Sequence, residues 1–405
     1  MFNKNVVMEQ SKYYDSFYLY DEKIIIKYIK RLKFSFKNVK FIYSIKTNSH
    51  PLVVKCVTSH GFGVDAASIN EVKMGNINGV SKDKIQYSAP GKTKKDIKEA
   101  INDSIIIADS INEIKLIQQV AKETNKVVEI GIRVNPELSF YGNEGVPSKF
   151  GIDDEILFNM IPFLRKQENI KITGLHIHLR SQELNADVLE NYYAKQLILA
   201  ERFQNIYGEV LRFINLGSGI GIPFSIDDKE LDTEYLGKKT ENMINDFKLQ
   251  FPNISIYIET GRYVVGKSGI YVTKVLDIKN SYGKKFIILK NTLNGFLRPS
   301  LAQLIMNYAD KKTLFGSEPL FTCANAFEFI PLNDAKEKEV VTLVGNLCTS
   351  TDVVAKDIIL PKLKIGDKVV ITNAGSYAAV LSPMQFSSQE PPTQLFLAST
   401  GNIIK

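Results

Sequence analysis

Lys46 lies in the stretch FIYSIKTN, Phe41 to Asn48, where a short apolar run gives way to a cation. Burying an ammonium is costly unless it is paired or chemically used. At a strand end in a low-dielectric mouth, desolvation lowers a lysine's pKa and makes its amine a Schiff-base nucleophile. The other reading is a side chain that buries its methylenes and snorkels its head to water. Farther along, NLGSGIGIP carries Gly217, Gly219 and Gly221, whose backbone would let N–H groups approach an anion. A dinucleotide fingerprint fails here, because Ile222 stands where a glycine is needed and Pro223 follows where a helix should open. YIETGRYVVG sets Glu259 and Arg262 on either side of a turn through Gly261. The arginine suits a bidentate grip on phosphate or carboxylate, and the glutamate suits a ring N–H; alternatively the two pair with each other. In GLHIHLRSQ, His176 and His178 share a face by the two-residue period. The chain has only four histidines and no further ligands beside these two, so no metal is expected and His178 reads as a flat ring that stacks on another.

These residues sit at the ends of short apolar runs separated by helix-length segments. The runs begin at Phe41, Gly61, Ile85, Ser104, Val127, Ile172, Phe213 and Ile254, and segments such as EIKLIQQVAKETN between them carry helical periodicity. Eight such units imply an α/β fold, a (β/α)8 TIM-type barrel over residues 24–268, rather than an open doubly wound sheet. In such barrels the chemistry lies at the C-terminal strand ends, with phosphate held by the loops after strands seven and eight. Beyond Gly269 the pattern changes to β-rich runs such as IYVTKVLDI, KFIILK, EVVTLVG, DKVVITNAG and PTQLFLA. They predict a C-terminal all-β domain over 269–405, joined by residues 1–23 through the strand-like SFYLYD.

With 405 residues, 44% of them hydrophobic, the chain has material for two packed domains. The net charge of +7 is spread over lysines interleaved with acids, which is a solvated surface rather than a nucleic-acid footprint. Three widely spaced cysteines, Cys56, Cys323 and Cys348, do not make a disulfide framework. The first residues lack the apolar core of a signal peptide, and no apolar run reaches the ~18 residues of a membrane span. A cytoplasmic protein with no membrane partner is expected.

One ligand would use a lysine, a ring-nitrogen acceptor, a stacking ring and a phosphate loop together: pyridoxal 5'-phosphate (PLP). From these residues the chain is identified as resembling the PLP-dependent decarboxylases of the ornithine/diaminopimelate group, which share an alanine-racemase-like fold. YSIKTN resembles Y-x-x-K-x-N, implying that Lys46 forms the Schiff base. GFGVDAASINE resembles the stretch that places Asp65 and Glu71 near the cofactor, and GIRVNP supplies Arg133. HIHLRSQ resembles H-x-H-x-G-S-Q, implying that His178 stacks on the ring and Ser181 meets the phosphate. NLGSGIGIPF resembles the L-G-G-G loop, giving Gly217, Ser218 and Gly219. ETGR resembles E-P-G-R, with Glu259 at the pyridinium nitrogen and Gly261 and Arg262 beside it. VGNLCTSTDVVAKD resembles the C-x-x-x-D block, in which Cys348 is the general acid. NAGSYAAVLS resembles G-A-Y, assigning Tyr377 to the phosphate. The resemblance also implies a homodimer with shared active sites, the block of Cys348 and Asp352 completing the partner's barrel and Lys149 pairing with its aspartate.

The departures bear on substrate. Arg180 and Ser218 replace glycines, and the double glycine before Arg298-Pro299 is absent. Thr349 replaces the acid that holds a distal ammonium, while Arg298 stands where the family grips a distal carboxylate, unless it pairs locally with Asp310. Arg298, Thr349 and Asp352 are thus the expected substrate-binding set. The expected activity is decarboxylation of an amino acid or amino-acid conjugate in a specialised, siderophore- or antibiotic-like pathway, Cys348 protonating the carbon that loses CO2. The alternatives are diaminopimelate decarboxylation, a racemase, against which Glu259 argues, and a non-catalytic regulatory homologue.

Overall fold

The computed structural model describes residues 2–142, 144–225, 228–305, 320, 322–323 and 325–405. Its strands in chain order are β1 (Phe17–Asp21), β2 (Lys40–Ser44), β3 (Gly63–Ala66), β4 (Ile85–Tyr87), β5 (Ile105–Ala108), β6 (Val128–Asn135), β7 (Ile152–Asp153), β8 (Ile170–His176), β9 (Phe213–Asn215), β10 (Ser255–Thr260), β11 (Gly269–Ser281), β12 (Lys284–Leu289), β13 (Phe329–Pro331), β14 (Lys338–Gly345), β15 (Val353–Pro361), β16 (Lys368–Ile371), β17 (Thr393–Leu397) and β18 (Ile403–Ile404). By packing, the chain divides into two compact units. One comprises Ile29–Gly221 and Glu230–Gly261, the other Met1–Tyr28, Ile222–Lys229 and Arg262–Lys405.

In the first unit β2, β3, β4, β5, β6, β8, β9 and β10 pair in parallel in that order, and β10 returns to β2 to close an eight-stranded barrel. The eight apolar runs supply these eight strands. Every residue of β3, β4, β5 and β9 is buried, as expected where helices cover the outer face of a parallel sheet. The helices start where a polar side chain can take up free amide groups. Ser68, Thr93, Ser110, Asn185 and Asp232 each cap the helix that follows.

Inside the barrel, Ile42, Ile105, Ile107, Phe213 and Tyr257 pack together. The Phe213 ring takes up space that a neighbouring side chain would need. A Cβ on Gly174 would lie 2.2 Å from that ring, and one on Gly131 2.9 Å from it.

The second unit is a sheet in the order β15-β14-β12-β11-β1-β17-β18, with β16 pairing β11 and β13. The expected opening strand joins it: β1 runs antiparallel to β11 and parallel to β17. Its core gathers Phe17, Leu19, Val272, Val370 and Leu395. Two helices, Lys4–Gln10 and Leu297–Ile305, also belong to this unit, as do β13, β15 and β18, none of which the sequence pattern signalled. β15 escaped because its alternation is broken: its register against β14 shifts between Val341 and Leu343, and Asp357 has φ +51°. Among the described residues no helix is long and apolar enough to cross a membrane.

Candidate active site

Lys46 occupies a single turn, Ile45–Thr47, directly after β2. The turn is pinned by Thr47, whose hydroxyl donates to the Ser44 carbonyl at 2.7 Å, and by Tyr43, whose hydroxyl donates to Asn48 O at 2.8 Å. Lys46 Nζ lies 3.1 Å from Oδ2 of Asp65 in β3, and Ser88 donates to the other oxygen of that fully buried carboxylate at 2.5 Å. Burial acts to lower the Lys46 ammonium, as expected, but Asp65 and then Glu259 outweigh it, and its pKa stands above the ordinary lysine value. The lowered pKa foreseen for this amine is therefore corrected: the anion across the strand pair holds its proton. Glu71 caps the Ala67 amide at 2.6 Å, and burial, aided by Asp65 against that bond, raises its carboxyl to about 7.

Glu259, near the C-terminal end of β10, is buried within electrostatic reach of Lys46. Its Oε1 accepts from Asn215 Nδ2 at 3.0 Å and lies 2.9 Å from His176 Nε2. Burial alone would raise this carboxyl, but His176, then His178 and Lys46, hold it well below the usual range. It stays an anion, which is what a protonated ring nitrogen requires.

Burial pushes His178 down to about 4, with Arg133 and Lys46 adding to it against Glu259. The neutral ring accepts the Ser218 N–H on Nδ1 at 3.0 Å, which leaves the proton on Nε2. Arg133 supports the same segment from β6, donating to the His178 carbonyl at 3.2 Å. Gly217 has φ +65°, and a Cβ there would come within 2.4 Å of the Ile177 carbonyl, so only glycine serves. Its amide donates to Asn215 Oδ1 at 2.8 Å. The amides of Gly217 and Ser218 are thus spent within the loop, whereas those of Gly219 and Ile220 find no acceptor among the described residues. Ser181 is buried in the loop after β8, beside Gln182 at φ +67°. Arg180 stacks 5.1 Å over Tyr141, whose hydroxyl donates to Glu183. Gly261 closes this unit; a Cβ there would meet Thr47 Cγ2 at 2.3 Å.

The second unit carries the remaining expected residues. Arg262 packs 4.8 Å over the Tyr377 ring, and Tyr377 is buried at φ +49°, a conformation rare for an aromatic residue. Arg298 is fully buried between Phe224 and Phe327 and donates to the Ser376 carbonyl at 3.1 Å. It supports the backbone beside Tyr377 through Nη1; Asp310 lies outside the described residues. Asp352 likewise turns inward. Its carboxylate accepts from Thr292 at 2.5 Å, Leu293 N at 3.0 Å and Leu347 N at 3.1 Å, and so ties two loops together. Cys348 is exposed, and Thr349 shares a 2.9 Å hydrogen bond with Thr351.

Three residues of the barrel site were not foreseen: Ser88 behind Asp65, and Gln86 and Asn215 behind Glu259. The signal available was a polar residue within an otherwise apolar strand, Gln86 in IQY and Asn215 in FIN. Its partner becomes visible only when the barrel closes.

Residues 22–266 match the family model described as "Pyridoxal-dependent decarboxylase, pyridoxal binding domain". The chain is 30% identical over 391 residues to an L-glutamyl-[BtrI acyl-carrier protein] decarboxylase from Niallia circulans, covering 94% of this chain and 88% of the relative. It is 28% identical over 379 residues to a diaminopimelate decarboxylase from Archaeoglobus fulgidus, covering 90% and 84%. The crystal structure of diaminopimelate decarboxylase from Helicobacter pylori complexed with L-lysine superposes with a TM-score of 0.83 at 25% identity, covering 99% of this chain and 95% of that one. The barrel residues fit PLP: an amine on Lys46, a buried anion on Glu259, a neutral flat imidazole on His178, and two uncommitted amides at Gly219 and Ile220. By the match over the barrel and the ordered geometry within it, the chain belongs to the pyridoxal-dependent decarboxylases.

Proposed function

We propose that this carboxy-lyase acts on an amino acid without a distal ammonium, presented as a conjugate on a carrier in a specialised, siderophore- or antibiotic-type pathway. The observation that carries this reading is the loop from Cys348 to Asp352. Thr349 is bonded to Thr351, and the one carboxylate in the loop, Asp352, is consumed by Thr292, Leu293 and Leu347. No anion of this loop is left to neutralise an ammonium, and an unpaired ammonium in a desolvated pocket costs several kcal/mol. The likeness to a decarboxylase of a glutamyl group carried on an acyl-carrier protein supports the same reading. The second reading, diaminopimelate decarboxylation, draws on the fold likeness to enzymes of that name.

PLP, when bound, supplies an aldehyde for an amine and a ring that accepts the electrons left as CO2 departs. Lys46 Nζ would supply the amine for the aldehyde once its proton has passed to Asp65, 3.1 Å away. Glu259 keeps a proton at the ring nitrogen. The neutral His178 ring supplies a flat face, and the Gly219 and Ile220 amides supply donors for the phosphate. Cys348, exposed on the second unit, supplies a proton to the reacting carbon in the barrel of a partner subunit.

The test compares CO2 release and amine product from ornithine, lysine, diaminopimelate, glutamate and a glutamyl thioester on a phosphopantetheine-bearing carrier. Fastest turnover of the thioester is the expected result. Fast turnover of diaminopimelate overturns it in favour of the second reading, and binding of PLP with no CO2 from any substrate favours a regulatory protein.

A further inference from the structure

Asn215 is the last residue of β9 and is fully buried. Its Nδ2 donates to Gln86 Oε1 at 2.7 Å and to Glu259 Oε1 at 3.0 Å, while its Oδ1 accepts the Gly217 amide at 2.8 Å. At this length only an amide can give two hydrogens and accept a third: aspartate cannot donate, and serine donates once. The Gly217 carbonyl in turn accepts the Glu259 amide at 2.8 Å. Both polar groups of Gly217 are therefore bonded to the Asn215–Glu259 pair. On the carboxylate itself, Asn215 and His176 both meet Oε1, and among the described residues no hydrogen bond or ion pair is made to Oε2.

The ring nitrogen and the phosphate of PLP are joined through one aromatic ring and one short oxymethylene arm, so their separation is bounded. A site that binds both must hold its ring-nitrogen acceptor and its phosphate loop within that reach of each other. From this geometry, and resting on the cofactor reading above, we infer that Asn215 is a positioning residue that couples the two. It orients Glu259 with Oε2 toward the ring nitrogen and, through Gly217, sets where the loop presents the Gly219 and Ile220 amides. The alternative is an amide that only satisfies buried polar groups inside a barrel.

Two substitutions separate these roles. Asn215→Asp retains the acceptor for the Gly217 amide but cannot donate to Glu259; Asn215→Ala loses both. The full chain is loaded with PLP labelled with nitrogen-15 in the ring, whose chemical shift reports ring protonation. Phosphate-loop affinity is read from competition of inorganic phosphate with PLP, and folding from the urea midpoint. Asn215→Ala should weaken inorganic phosphate about tenfold and shift the ring nitrogen toward its unprotonated position. Asn215→Asp should shift the ring nitrogen while keeping phosphate affinity within about twofold, and Glu259→Gln should shift the ring nitrogen alone. Two results overturn the role of Asn215: an Asn215→Ala protein matching wild type in both readouts, or both Asn215 variants losing both in proportion to their urea midpoints. A wild-type chain that takes up no PLP overturns the cofactor reading itself, and the two failures are thereby distinguishable.

Discussion

The backbone amide of Ser218 donates to Nδ1 of His178 at 3.0 Å, so the loop after β9 fixes the tautomer of an imidazole that follows β8. The bond requires a neutral ring, and burial supplies one by lowering the pKa from 6.5 to about 4. The folded chain therefore binds fewer protons at His178 than the unfolded chain between those values. Stability from this group is complete above pH 6.5 and is lost progressively as the pH falls toward 4. His178→Phe, which keeps a flat ring that does not titrate, should show a shallower fall in urea-unfolding free energy over this range. Parallel pH curves for the two proteins would contradict the assignment.

Asp65 holds the proton on Lys46 in the cofactor-free chain. Asp65→Asn should let an amine-reactive probe modify Lys46 at lower pH than in wild type, as mapped by peptide mass. In the loaded protein, borohydride should fix the cofactor on Lys46, and Lys46→Ala should abolish turnover. A reduced adduct on another lysine would refute this assignment.

Cys348 is exposed in the single chain, and the shared site proposed above is tested by complementation. Mixing Lys46→Ala and Cys348→Ala proteins should restore up to about one quarter of wild-type activity, because random subunit exchange between equal amounts leaves half the dimers hybrid, each with one intact site. Proven subunit exchange with no recovered activity would exclude the shared site.

Asp352→Ala strands the Leu293 and Leu347 amides and the Thr292 hydroxyl. It should cost about 3 kcal/mol of stability, measured by urea unfolding, because the lost acceptor is charged and buried. A large rise in KM with the urea midpoint unchanged would instead return Asp352 to the substrate.

The barrel was legible because its strands are short, apolar and separated by capped helices, and because eight of them occur before the pattern changes at Gly269. The lysine, the glycine loop and the ETGR turn were legible as chemistry at strand ends. What escaped depends on pairing between distant segments. The charge state of Lys46 is decided by Asp65, nineteen residues away and adjacent only because β2 lies beside β3. The inward turn of Asp352 and the enclosure of Arg298 are decided by Thr292, Phe224 and Phe327, which no local pattern connects to them. Asn215 reads in FIN as a polar interruption, and acquires meaning only when β9 is seen between β8 and β10.

The aromatic plug of Phe213 over Gly174 and Gly131 imposes an order on mutational history. Gly174→Ala introduced first brings its Cβ to 2.2 Å from the ring; Phe213→Leu introduced first removes the three ring atoms that this Cβ would meet most closely. The two positions are epistatic, and the permitted route contracts the plug before it enlarges the floor. A library that remodels the barrel interior by single steps reaches the pair only through the plug, whereas one that varies the two positions together needs no order.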